Sequence, residues 1–291
     1  MKITWGKVLK KKSSGKEEHI RQIMEEREYL LRADSSFFVR EAYNGLRTNV
    51  VFSLTGEEAC KVIAVTSSMQ SEGKSITAAN LALSFSEADK RTLLIDCDLR
   101  RPKVSRLLDM SSKSGLSNVL IEPKLLDGSI LHYPGAKHMD VLIAGSIPPN
   151  PSELLGSPRM KKLVESLKER YDYILLDTPP INMVTDAVVL SSIVDGILLV
   201  VRAEQSERGA VKYALEQLNY AKAKIIGFVL NGAVQSENGR YTYRHYKRYG
   251  YYKYGYKRGY KQGYGYGYGY GYGYSSDPDG EKQSRKEPEQ K

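Results

Sequence analysis

Six short, almost uninterrupted apolar runs, at residues 62–66, 92–96, 141–144, 173–177, 196–201 and 225–230, constrain this 291-residue chain more than any other feature. Strands of a parallel sheet are buried on both faces and read as such runs, whereas a half-buried strand alternates. The stretches between them, 75–88, 102–108, 158–170, 186–193 and 207–221, carry helix-like patterning. Strand–helix–strand repetition implies right-handed crossovers, so the expected fold is α/β, a parallel β-sheet flanked by helices. In such sheets ligands collect beyond the carboxyl ends of the strands.

The two ends of the chain read differently. Residues 1–34 are polar and charged, with a short helical pattern over 20–31, and read as a loosely packed lead-in to a domain at 35–235. From Arg240 to Tyr274 there are 15 Tyr, 8 Lys+Arg, one His and no acid, so most of the formal net charge of +10 belongs there. The Gly-Tyr repeats put Gly, the residue whose ordering costs most backbone entropy, at every second position. Composition alone therefore implies a disordered tail at 236–291. With the remainder close to neutral, a pI near 9.3 is no argument for nucleic acid as a partner.

The longest apolar run, 187–201, is 15 residues long and contains Ser191, Ser192 and Asp195. A membrane-spanning helix needs roughly 20 apolar residues, so a buried segment is expected instead. The first residues lack the apolar stretch of a secretory leader. Cys60 and Cys97 have neither zinc nor disulfide spacing. A cytoplasmic protein with two reduced, buried thiols is the expectation.

After the first apolar run comes SSMQSEGKS and then a helix-like segment. This is the spacing of a P-loop, or Walker A motif, with Ser68 where the first Gly usually stands and Gly73, Lys74 and Ser75 closing it. Backbone N–H groups of such a loop cradle phosphate oxygens at a helix N-terminus. The expected ATP contacts are Ser68, Met69, Gln70, Ser71, Glu72, Gly73, Lys74, Ser75 and Ile76, with Lys74 reaching the β/γ-phosphates and the Ser75 hydroxyl on Mg²⁺. The second run ends in LLIDCDLRRP, placing Asp96 and Asp98 at a carboxyl end, and YILLDTPP ends in Asp177. Acids at strand tips beside a phosphate loop are expected near Mg²⁺, so the metal set reads Ser75, Asp96 and Asp177. ATP is favoured over GTP because no NKxD-like sequence occurs. Asn231, ending the last run, either reads adenine or makes a β-turn. Arg100 and Arg101 meet phosphate, meet an acid, or form a solvated basic turn.

These motifs, together with EAYNGLRTNVVFS, GLSNVL, LIAGSIPPNPSELLGSP and VLNG, resemble the bacterial tyrosine kinases of capsule and exopolysaccharide synthesis. Those belong to the deviant-Walker, ParA/MinD-like branch of P-loop proteins, and the likeness runs from about residue 38 to 232. The resemblance implies an ATP-dependent protein-tyrosine kinase that autophosphorylates its tail in trans and regulates extracellular polysaccharide synthesis and export. The implied acceptors are Tyr241, Tyr243, Tyr246, Tyr249, Tyr251, Tyr252, Tyr254, Tyr256, Tyr260, Tyr264, Tyr266, Tyr268, Tyr270, Tyr272 and Tyr274. The implied catalytic residues are Lys74, Asp96 and Asp98, one Asp lying near the metal and the other acting as base or orienter for the hydroxyl.

The resemblance also implies partners. A ring-shaped homo-oligomer forms in the family through an ExxRxxR pattern, which reads Glu41, Asn44, Arg47 here, its middle Arg missing. On a helix Glu41 and Asn44 are near neighbours and Arg47 continues along that side. A membrane-anchored co-polymerase would activate the kinase and recruit it to the inner face of the membrane, and a cognate phosphotyrosine phosphatase would reverse its action. The alternative is a ParA/MinD-type switch ATPase; that class typically carries a second lysine near the start of its phosphate loop, and TSSMQSE has none.

Overall fold

The computed structural model describes residues 26–233, apart from 55 and 57. The 236–291 segment with all fifteen tail tyrosines, and most of the 1–34 lead-in, lie outside the described residues. The strands are β1 (Lys61–Ser67), β2 (Thr92–Asp96), β3 (Ile130–His132), β4 (Met139–Leu142), β5 (Tyr173–Asp177), β6 (Gly196–Arg202) and β7 (Ile225–Asn231). The helices are α1 (Phe37–Ser53), α2 (Lys74–Glu87), α3 (Val104–Leu107), α4 (Leu116–Ile121), α5 (Leu126–Ser129), α6 (Pro151–Leu155), α7 (Pro158–Lys168), α8 (Asp186–Leu190) and α9 (Arg208–Tyr220).

The strands form one sheet of order β3-β4-β2-β5-β1-β6-β7, parallel except for β3. Its two faces explain the unbroken apolar runs. Val62, Ala64, Leu93, Ile95, Ile174, Leu176, Ile197 and Leu199 pack into one core layer. Their alternates Ile63, Val65, Leu94, Leu175, Leu198 and Val200 pack into the other, against α1 and α2. Each such side chain contributes roughly 1.5–3 kcal/mol when fully buried, so neither face tolerates polar alternation.

Three departures from the sequence expectation have local causes. The run at 141–144 ends as a strand at Leu142, because the carbonyls of Ile143 and Ala144 accept the first N–H groups of α4, from Leu116 (2.7 Å) and Ser117 (2.9 Å). The segment read as helix over 186–193 is α8 followed by a 3₁₀ turn, Ser191–Ile193. The end of the lead-in is not loosely packed, since Leu30 and Leu31 are both 5% exposed and belong to the α1/α2 layer.

That strap is held by one side chain of α2. Asn80, itself buried, accepts the Leu31 N–H at 2.7 Å through Oδ1 and donates to the Tyr29 carbonyl at 2.8 Å through Nδ2. Asn80→Ala leaves a buried donor and acceptor unpaired, which costs about 1–3 kcal/mol. The expected result is a Tm lower by several degrees, with strap amides near residue 31 losing hydrogen-exchange protection before the sheet does.

Candidate functional site

Strand order sets the site. Connections leave β1 toward β2 and β6 toward β7, in opposite directions from adjacent strands, which opens a crevice at their carboxyl ends. The phosphate loop lies there, between β1 and α2. Its backbone requires two left-handed residues, Ser71 at φ 63° and Gly73 at φ 97°. At Gly73 a side chain is excluded twice over, because a Cβ would also overlap the Asn231 amide. Among the described residues, the N–H groups of Gln70, Ser71 and Gly73 have no backbone hydrogen-bond partner. The Met69 N–H instead donates to Glu72 Oε2 at 2.8 Å. Together with the start of α2, this is a loop prepared for an anion.

β2 and β5 are neighbours in register, with Asp96 directly opposite Asp177. Both carboxylates are fully buried. Lys74 Nζ reaches Asp98 Oδ2 at 3.1 Å, Ser75 Oγ at 3.2 Å and Asp177 Oδ1 at 3.5 Å. Burial works against the Lys74 charge, but Asp177 and Asp98 outweigh it and hold the ammonium above its ordinary range. Burial, reinforced by the Asp177 charge, pushes Asp96 well up. Burial also raises Asp177, and the Lys74 charge only partly offsets it. The site is one cation set among three acids.

The three acids differ in what they touch. Asp96 Oδ1 accepts the Asp98 N–H and its Oδ2 the Val104 N–H, each at 3.1 Å, so both oxygens pin the turn after β2. Asp98, 5% exposed, accepts Lys74 on one oxygen and the Arg101 N–H (3.0 Å) on the other. Asp177 Oδ2 has no hydrogen-bond partner among the described residues. Among the described residues only it and Asn182 Oδ1 are buried side-chain atoms in that condition, and the Asn182 N–H donates to the Ser68 carbonyl of the phosphate loop. An orphaned buried carboxylate oxygen is a costly feature that a bound cation relieves.

The donor set therefore fits Mg²⁺: a hydroxyl, Ser75, and an unpaired carboxylate oxygen on Asp177. No group of three or more His, Cys, Asp or Glu is arranged to hold a metal alone among the described residues. A cation here needs further oxygens, which phosphates and waters characteristically supply to Mg²⁺.

Other expected residues find different partners. Arg100 forms a two-point ion pair with the buried Asp186 (3.0 and 3.2 Å), which also accepts the Ser152 hydroxyl. Arg101 donates to Gln70 Oε1 at 3.1 Å. Asn231 Nδ2 donates to the Glu72 carbonyl at 3.0 Å, so it braces the phosphate loop. Asn44 donates to Glu41 at 2.9 Å as helix spacing predicts, while the Arg47 guanidinium turns back onto Ser84 Oγ at 2.8 Å. Ser152, Asp186, Arg202 and Ser206 were not legible as site residues, because only the tertiary fold brings them to the loops.

A family described as an AAA domain matches residues 60–225. The tyrosine-protein kinase YwqD of Bacillus subtilis is 39% identical over 203 residues, covering 70% of this chain and 85% of that protein. The tyrosine-protein kinase CpsD of Streptococcus agalactiae is 38% identical over 211 residues, covering 72% and 89%. Among solved structures, the kinase domain of the Escherichia coli tyrosine kinase ETK aligns with a TM-score of 0.65 at 34% identity, over 73% of this chain and 80% of that one. A phosphate loop after β1, paired acids on β2 and β5, and these likenesses across most of each relative's length place the chain in the bacterial tyrosine-protein kinase family.

Proposed function

We propose that this chain transfers the γ-phosphoryl group of ATP to the tyrosines of its own 241–274 segment, in trans, and thereby regulates capsular or extracellular polysaccharide synthesis and export. The observation that carries the reading is the Lys74 ammonium held between Asp98 and Asp177 beside a left-handed phosphate loop, with Asp177 Oδ2 unpaired. Ser75 and Asp177 would hold Mg²⁺, which, when bound, neutralises charge on the phosphates. Lys74 binds and neutralises phosphate oxygens, leaving Asp98 for an incoming hydroxyl. Asp98 suits that role because the fully buried Asp96 spends both oxygens on backbone N–H groups. The tyrosine Oη forms a bond to the γ-phosphorus as the bond to the bridging oxygen breaks, the electron pair leaves with ADP, and the Oη proton passes to Asp98.

Self-association through α1 fits the same reading. Phe38 and Phe52 on that helix are 64% and 76% exposed, flanking Glu41 and Asn44. The partners proposed are a second copy, a membrane-anchored activating co-polymerase that recruits the chain to the inner membrane face, and a phosphotyrosine phosphatase. No described helix is long and apolar enough to cross a membrane.

The test is incubation of the full chain and a version truncated after Gly239 with Mg·ATP, with and without the cytoplasmic segment of a candidate activator. Phosphotyrosine is expected on residues 241–274 of the full chain and none on the truncated one. Steady ATP hydrolysis with no phosphotyrosine in either would favour the switch-ATPase reading.

A further inference from the structure

Behind the phosphate loop sits a carboxylate that the transfer reaction does not use. Glu72 is 1% exposed. Its oxygens accept the Ser68 hydroxyl (2.8 and 3.0 Å), the Met69 N–H (2.8 Å) and the hydroxyl of Ser206, which lies 134 residues away in the turn between β6 and α9. The same turn holds the loop at a second point, Arg202 Nη1 donating to the Ser71 carbonyl at 3.0 Å. Ser206 is fixed in turn, since the Arg202 N–H donates to its Oγ at 2.7 Å and its own N–H to the Arg202 carbonyl at 2.9 Å.

A carboxylate beside a phosphate site repels the ligand unless it is held facing away. Here three donors hold it back, and the Ser71 carbonyl is drawn outward by Arg202. With that carbonyl and carboxylate engaged by these donors, the N–H groups of Gln70, Ser71 and Gly73 are left without backbone partners among the described residues. Ser71 also keeps its left-handed φ without being glycine, a strain that such an outside contact offsets.

We infer that the β6–α9 turn is a positioning element for nucleotide binding, acting through Ser206 on Glu72 and through Arg202 on the Ser71 carbonyl. The inference rests on the ATP-binding reading of the loop but not on the acceptor. Ser206 touches no phosphate in this scheme; its hydroxyl acts on Glu72 while its Oγ also accepts the Arg202 N–H.

The experiment titrates a fluorescent ATP analogue with Mg²⁺ onto the full chain, in wild type, Ser206→Ala, Ser206→Thr, Glu72→Gln and the Ser206→Ala/Glu72→Gln double variant. Loss of a hydrogen bond to a charged group predicts binding weaker by about tenfold in Ser206→Ala, restored to within about threefold by Ser206→Thr. Glu72→Gln, whose amide offers one acceptor oxygen in place of two, is expected to lose about ten- to a hundredfold. The loss in the double variant should fall short of the product of the two single losses, because both changes weaken the same Ser206–Glu72 contact. In tail-phosphorylation kinetics Ser206→Ala should raise the KM for ATP and leave kcat nearly intact. Wild-type affinity in Ser206→Ala, or losses that multiply in the double variant, would overturn the inference. Tight nucleotide binding by a wild type that never labels its tail would count against the kinase reading alone.

Discussion

Lys74→Met is expected to lower the initial rate of tail phosphorylation by about a thousandfold or more, measured as incorporated phosphotyrosine at saturating Mg·ATP. Transition-state charge on a transferring phosphoryl group is met by fixed cations, and removing one such group typically costs two to five decades. In this site Lys74 is the only cation within hydrogen-bonding reach of the acids among the described residues, touching Asp98 and Asp177 at once. Methionine keeps the side chain out to Cε and drops only the terminal ammonium, so the packing around α2 changes little while the charge disappears. The loss of charge has a second consequence, because two buried carboxylates lose their counter-ion. The nucleotide-free variant should therefore fall further below wild type in Tm at pH 8 than at pH 5.5, where Asp177 and Asp96 take up protons more readily. A variant within tenfold of the wild-type rate would show that Lys74 does not hold the transferred group.

How much of this was legible in the sequence follows from what each feature depends on. The six runs survive as β1, β2, β4, β5, β6 and β7, because burial on both faces writes itself into consecutive residues such as Val62, Ile63, Ala64 and Val65. The phosphate loop was legible for the same reason, its demands falling on adjacent positions. β3 was not, since Ile130, Leu131 and His132 form a three-residue antiparallel edge with no residue fully buried. Strand order is equally silent in the sequence. Nothing in LLIDCD or ILLDTP says that Asp96 faces Asp177, or that burial raises both acids, with the Asp177 charge adding to the shift of Asp96. The helical spacing of Glu41, Asn44 and Arg47 foretold the contact of the first two. It could not foretell that Arg47 would turn inward to Ser84, since the partner lies on another helix.

Asp177→Asn is expected to abolish phosphorylation and yet leave the nucleotide-free protein at least as stable as wild type at pH 8. Asp177 is wholly buried, one oxygen is unpaired, and Asp96 lies opposite on β2. Burial, chiefly, raises its folded-state pKa above the unfolded value near 3.9. A carboxyl shifted in that direction contributes most below its unfolded pKa, and the contribution is lost as pH rises through the folded pKa. Without nucleotide, the ionised form of Asp177 thus opposes folding, a cost that fits the metal-holding role proposed for it. Asparagine keeps the Oδ1 acceptor for Lys74, whose charge remains paired with Asp98 at 3.1 Å. If relief of the buried charge is worth about 1–2 kcal/mol, Tm rises by roughly 2–8 °C at pH 8. The gain should shrink toward pH 5, where wild-type Asp177 carries more of a proton. Asp172, whose pKa Arg91 lowers, does not confuse that comparison, because its own contribution is lost only as pH falls below the ordinary carboxylate range. Saturating Mg·ATP should reverse the ranking, since it stabilises only a protein that can bind it. A fall in Tm at pH 8 without nucleotide, or a gain of the same size at both pH values, would show that Asp177 is a structural acid and that its open oxygen is not reserved for a cation.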